Sequence, residues 1–133
     1  MLVRGADKLA TCDKRLIEVV SQAAQKFDII VICGHRTKEE QNKAVAEGKS
    51  KTPYPTSKHN STPSMAVDII PAEMKGEKAL IDWNDTQRIC YLAGYIMALA
   101  ESHGVKLRWG GDWDSDTNLK EEKWRDLVHF ELV

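Results

Sequence analysis

Residues 56–70, TSKHNSTPSMAVDII, begin as a polar loop with one histidine and end as an apolar run with an aspartate inside it. The run MAVDII (65–70) reads as a strand, stopped by Pro71. A carboxylate inside an apolar strand is costly unless it is paired, so Asp68 needs a partner, and the nearest candidate along the chain is His59.

Upstream, FDIIVIC (27–33) is a second short apolar run rich in β-branched residues, as expected of a strand buried on both faces, and Gly34 ends it. Before it, Leu16, Val19, Val20, Ala23, Ala24 and Phe27 follow helical spacing, which predicts an amphipathic helix over about 13–26. After it, Thr37 and Glu40 have the spacing of a capping box, so another helix starts at about Thr37, with Gly48 at its C-terminal end. Residues 49–64 hold Pro53, Pro55 and Pro63 among small polar residues and form a long irregular loop, a kind that is usually functional.

Downstream, AEMKGEKALIDWN reads as a polar connection, and 85–103 as the longest helix, apolar at Ile89, Leu92, Ala93, Ile96 and Ala100 and stopped by Gly104. VKLRW is a short strand, GGDWDSDTN a glycine and aspartate loop, LKEEKWRD a short polar helix or turn, and VHFEL the final strand. The order predicts an α+β fold: a small, mostly antiparallel sheet with helices packed on one face, all in one domain spanning 1–133.

Composition narrows the function. Across 133 residues, 42% are hydrophobic and 29% charged, with a net charge of −1, which fits a globular protein and offers no basic excess for nucleic acid. No segment approaches the roughly 20 apolar residues of a membrane-spanning helix, and the N-terminus lacks the apolar run of a signal peptide, so the expectation is a monomer made and folded in the cytosol. Cys12, Cys33 and Cys90 are odd in number and widely spaced, which argues for reduced thiols rather than disulfides or a thiolate metal site.

The chemistry concentrates on histidines. His103 falls in the last turn of the long helix, a structural position, and His35 directly follows a buried strand with no direct role assigned. His129 lies on the polar face of VHFEL beside Glu131, opposite Val128, Phe130 and Leu132. His59, Asp68 and His129 together supply two imidazoles and a carboxylate, a common catalytic zinc set that leaves a fourth position for water. Asp126 is the candidate general acid/base, and Arg36 the candidate for stabilising an oxyanion. In a continuous strand Asp126 and His129 point to opposite faces, so this reading predicts a helical turn at about Asp126–Val128.

These residues also carry a resemblance. S57-K58-H59 followed by S64-M65-A66-V67-D68, G34-H35-R36-T37 followed by E40-Q41, W109-G110-G111-D112-W113, and D126-L127-V128-H129-F130-E131 resemble the zinc peptidase family of D-Ala-D-Ala carboxypeptidases and dipeptidases. Within it, the likeness is nearest to the L-alanyl-D-glutamate peptidases of bacteriophage endolysins, because the acidic residue before the second histidine is Asp rather than Glu. The resemblance implies one zinc ion on His59, Asp68 and His129, with Asp126 as acid/base and Arg36 near the scissile carbonyl. It also implies a peptidoglycan stem peptide as substrate, cut at the L-alanyl-D-glutamate bond, and a lysin made in the host cytoplasm that reaches the wall by a holin-made route. One departure is the nine-position spacing from His59 to Asp68, longer than in many members, with N60-S61-T62-P63 lengthened.

Ser57 and Trp113 are candidates for substrate contact, and Trp109 is divided between that role and packing on the sheet. Asp112, Asp114 and Asp116 alternate like the start of a calcium loop, a candidate regulatory site, although Thr117 stands where such a loop has glycine and Lys123 where it has glutamate. A D-Ala-D-Ala carboxypeptidase or dipeptidase, or a non-catalytic zinc-containing binding module, stay open as alternatives; a nuclease on the aspartate loop lacks a basic surface.

Overall fold

The computed structural model describes residues 1–133. The chain opens with strand β1 (Leu2–Arg4) and a single-turn helix α1 (Ala6–Leu9), neither of which was expected. Three residues are too few to show any periodicity, and β1 exists because it pairs in parallel with β2.

Helix α2 (Lys14–Ala23) begins where the Asp13 side chain accepts a hydrogen bond from Arg15 N at 2.9 Å, and it buries Leu16, Val19, Val20 and Ala23. Strand β2 (Ile29–Cys33) follows with Ile29, Ile30 and Val31 fully enclosed, and α3 (Lys38–Ala46) starts with the Thr37–Glu40 capping box in place. The long loop contains one 3-10 turn, Lys58–Asn60, and leads into β3 (Ala66–Pro71), which is buried throughout.

The connection expected after Pro71 is instead a hairpin of β4 (Glu73–Lys75) and β5 (Lys78–Leu80), with Met74 opposite Ala79. Its Lys and Glu residues conceal two short strands. Helix α4 (Thr86–Ser102), capped by Asp85, buries Ile89, Leu92, Ala93, Ile96 and Ala100 as the periodicity predicts. Strands β6 (Leu107–Gly110) and β7 (Asp126–Leu132) complete a sheet of order β1-β2-β3-β7-β6, antiparallel except for the β1–β2 pair. Residues 119–125 form turns rather than a helix.

Alternation along the strands separates two faces. Ile29, Val31, Val67, Ile69, Phe130 and Leu132 join residues of α2 and α4 in the main core, as expected for helices on one face. The opposite face carries Ile30 and Ile70 in a smaller cluster and, further along β3 and β7, Asp68, His129 and Glu131. Val128, expected on the face of Phe130 and Leu132, joins the smaller cluster instead, because the regular alternation of β7 is broken between Asp126 and Phe130. The α+β expectation holds in class and layering.

Candidate active site

Asp68 and His129 are register partners on β3 and β7, so their side chains leave the same face side by side. His129 Nδ1 lies 3.1 Å from Asp68 Oδ1. His59 arrives from the loop: the Ser57 hydroxyl accepts from His59 N at 3.2 Å, and Arg36 N donates to the His59 carbonyl at 2.8 Å. This places His59 Nε2 3.2 Å from Asp68 Oδ1 and 3.3 Å from His129 Nδ1. The lengthened loop closes back onto the strand.

The remaining ring nitrogens show what the three converging atoms are. His59 Nδ1 lies 2.7 Å from the Gly34 carbonyl, and His129 Nε2 lies 2.8 Å from Glu131 Oε1. Those oxygens can only accept, so each ring's proton is drawn there, and a lone pair on His59 Nε2 and on His129 Nδ1 faces the Asp68 oxygen. Three acceptors at mutual distances of 3.1 to 3.3 Å repel unless a positive charge joins them. Ligands about 2.0–2.1 Å from a tetrahedral zinc stand about 3.3 Å apart, so the set fits such an ion.

The surrounding charges likewise call for positive charge at this point, whether carried by an ion or by protons on the rings. Burial acts to lower the His59 pKa, but the Asp68 charge and hydrogen bond outweigh it and push it up to about 10. Burial likewise opposes protonation of His129, yet its bonds to Asp68 and Glu131 carry it to about 9. Burial acts to raise Asp68, and the two imidazoles nonetheless hold it well below the usual carboxylate range. Glu131, resisted by burial, is brought down to about 2 by His129 and by Arg108, whose Nη2 donates to Oε2 at 2.9 Å.

Asp126 stands apart. Its carboxylate comes within 4.8 Å of the ligand atoms of Asp68 and His129, yet makes no hydrogen bond. Burial first, and the Asp68 charge second, raise its pKa to about 6. The expected helical turn at Asp126–Val128 is absent. Between the pairs Trp109–Phe130 and Gly110–Asp126, β6 advances one residue while β7 advances four, so a bulge turns Asp126 toward His129's side. Gly110 permits this, because a Cβ there would strike the Asp126 carbonyl.

Arg36 places Nη2 3.6 Å from Asp68 Oδ2 and donates from Nη1 to Gln41 Oε1 at 3.0 Å. Fully buried Gln41 also donates to Ser50 Oγ at 2.9 Å and to the Thr52 carbonyl at 2.7 Å, tying α3 to the loop. Arg36, Ser57, His59, Trp113, Asp126 and His129 line one cavity of about 290 Å³. The Trp113 ring lies 5.6 Å from that of His129 and stacks on Trp124 at 5.8 Å. Trp109 is buried in the main core and does not reach this cavity.

Cys33 is the neighbour that complicates the ligand set, since its thiol, with His59 and Asp68, forms a second group able to hold a metal. Its sulfur lies 3.8 Å from His59 Nδ1, the nitrogen committed to Gly34, not from Nε2. That favours the nitrogen and oxygen set. Elsewhere, His103 caps α4 with Glu18 at 3.6 Å, and the His35 backbone N–H donates to Thr11 Oγ1 at 2.8 Å. Asp112, Asp114 and Asp116 do cluster, but their oxygens already accept backbone N–H groups of Asp116, Thr117 and Asn118. Thr117 adopts φ 68°, the left-handed conformation a calcium loop asks of glycine.

A model of the phage L-alanyl-D-glutamate peptidase family matches residues 2–133. The chain belongs to that family. The peptidase is 29% identical to the L-alanyl-D-glutamate peptidase of Escherichia phage T5 over 131 residues, covering 95% of this chain and 92% of the relative. Its fold is similar to that in the crystal structure of the Serratia marcescens L-Ala D-Glu endopeptidase ChiX, with a TM-score of 0.74, 22% identity, and coverage of 100% of this chain and 89% of that one. The expected peptidase class and fold are therefore met, and no helix is long and apolar enough to cross a membrane.

The five side chains singled out in the sequence, Arg36, His59, Asp68, Asp126 and His129, come together in the fold, but the residues that hold them were missed. Glu131 was legible only as a polar neighbour two residues from His129, the spacing that shares a strand face. Arg108, Gln41 and the Gly34 carbonyl act through tertiary contacts that no local pattern announces, as does Asn60, whose Nδ2 donates to the Arg36 carbonyl at 3.1 Å.

Proposed function

We propose that this peptidase is zinc-dependent and hydrolyses the L-alanyl–D-glutamyl bond of peptidoglycan stem peptides. In this reading His59, Asp68 and His129 hold the ion, Asp126 is the general acid/base, and Arg36 stabilises the charge that develops on the scissile carbonyl oxygen. The observation that carries it is the triangle of three acceptor atoms, 3.1 to 3.3 Å apart, with both imidazole protons drawn away from it.

Zinc bound there supplies Lewis acidity and a water of lowered pKa. The remaining work falls to the chain. Asp126, raised to about 6 and free of other hydrogen bonds, accepts a proton from the attacking water at its carboxylate and delivers it to the leaving amine. Arg36, fixed by Gln41, keeps a positive charge at the cavity wall without having to reorganise. Trp113 and Ser57 line the same cavity and make the substrate contacts, although the Ser57 hydroxyl also serves as the cap of the His59 turn.

The test is digestion of purified peptidoglycan by zinc-loaded protein, with new amino termini identified by mass spectrometry, beside D-Ala-D-Ala as a control. New D-glutamyl amino termini support the assignment; release of D-alanine instead would transfer it to the carboxypeptidase branch. Inactivity on both by the fully metallated protein would leave a binding module. We further propose a lysin role with holin-dependent release, for which membership of a phage peptidase family is the support. A weak calcium site at Asp112, Asp114 and Asp116 is part of the proposal, checked by whether added calcium alters the rate in the wild type and not in Asp114→Asn.

A further inference from the structure

The cavity is more basic than the protein around it. Five of its lining residues are cationic, Arg36, Lys49, Lys51, Lys58 and Arg108, against the carboxylates Asp126 and Glu131, in a chain of net charge −1. Four of the five are committed. Arg36 is shared between Asp68 and Gln41, Arg108 is bonded to Glu131, and Lys49 pairs with Glu47 at 3.1 Å. Lys58 Nζ donates to the Leu132 carbonyl at 2.7 Å.

Lys51 is different. Its ammonium makes no hydrogen bond or ion pair and lies 5.2 Å from the centre of the Trp124 ring. Trp124 stacks on Trp113, whose ring reaches His129, so the aromatic pair links the ammonium to the wall of the metal centre. The loop that carries Lys51 is anchored on both sides, because Gln41 binds Ser50 Oγ and the Thr52 carbonyl. A cation with no anionic partner, on an anchored loop at a cavity edge, is suited to an anion brought by the substrate.

The substrate class contains such an anion. A glutamyl residue has two carboxyl groups and the peptide chain consumes at most one, so the residue on the leaving side of the bond carries a carboxylate close to the scissile amide. We propose that Lys51 is a specificity-determining residue that binds this free glutamyl carboxylate and discriminates against its amidated form. The inference rests on the L-alanyl–D-glutamyl reading above. An ammonium gains from a carboxylate in this position and gains little from a neutral amide, and because Lys51 is exposed the gain is moderate and screened by salt.

The experiment uses two synthetic stem-peptide fragments that differ only in whether that glutamyl carboxyl is free or amidated. The wild type, Lys51→Gln and Lys51→Arg are compared by kcat/KM on both, each loaded with zinc and checked for metal content. The expected result is a wild-type preference for the free acid that falls about tenfold in Lys51→Gln, mainly through KM, survives in Lys51→Arg, and shrinks as salt is added. An unchanged preference in Lys51→Gln, or no preference in the wild type, overturns the role of Lys51 while leaving the bond assignment intact. Failure of the metallated wild type to cut either fragment overturns both.

Discussion

His59 Nε2 and His129 Nδ1 face each other at 3.3 Å although 70 residues separate them in the chain. Different nitrogens of the two rings converge because different acceptors hold the opposite edges: a backbone carbonyl for His59 and a carboxylate for His129. The geometry of the proposed ligands is therefore set as much by Gly34 and Glu131 as by the histidines.

Glu131→Gln is expected to weaken metal binding by about 10- to 100-fold, since the amide keeps the shape but is a poorer acceptor for the His129 proton. The measurement is competition with a chromophoric chelator. Circular dichroism separates this from unfolding, because the variant should keep its sheet.

Asp126→Asn should retain the metal and the fold and lose about 10²- to 10⁴-fold in turnover, the usual contribution of a positioned acid/base. Metal content and peptidoglycan digestion, run on the same preparation, check both halves. Near-normal turnover would remove Asp126 from the mechanism.

Gly34→Ala tests the carbonyl that orients His59. A Cβ there would run into the Lys8 carbonyl oxygen and the Thr11 hydroxyl, so the segment must shift and take the Gly34 carbonyl with it. We expect a lower melting temperature and, in the protein that remains folded, weaker zinc affinity than the wild type by the same chelator assay. An unaltered affinity would mean that this hydrogen bond does not set the ring.

Asp13→Ala removes the cap of α2 and should cost about 1 kcal/mol at neutral pH. The Arg15 side chain and backbone N–H hold the Asp13 carboxyl below its ordinary value of 3.8. A depressed folded pKa gives stability that is complete above 3.8 and is lost as pH falls through the folded value. The difference in melting temperature between wild type and variant should thus be widest near neutrality and close in acid.

The parts of the fold visible in the sequence are those long enough to repeat. Helices α2 and α4 show their faces over several turns, and β2 and β3 stand out as β-branched runs. By contrast β1, β4 and β5 have three residues each and exist only through their partners. The link between Asp126 and His129 illustrates the same limit: the need for both side chains on one side was readable, but a bulge met it in place of a helical turn. Trp109 and Trp113 sit in similar sequence surroundings, and only the assembled sheet sends one into the core and the other to the cavity.

The most direct test of the central claim is X-ray absorption at the zinc edge of the protein loaded with one equivalent of zinc. The account predicts a first shell of nitrogen and oxygen near 2.0–2.1 Å, with the outer scattering of two imidazoles and no sulfur. A zinc–sulfur distance of about 2.3 Å would place Cys33 in the site and contradict the assignment of His59, Asp68 and His129.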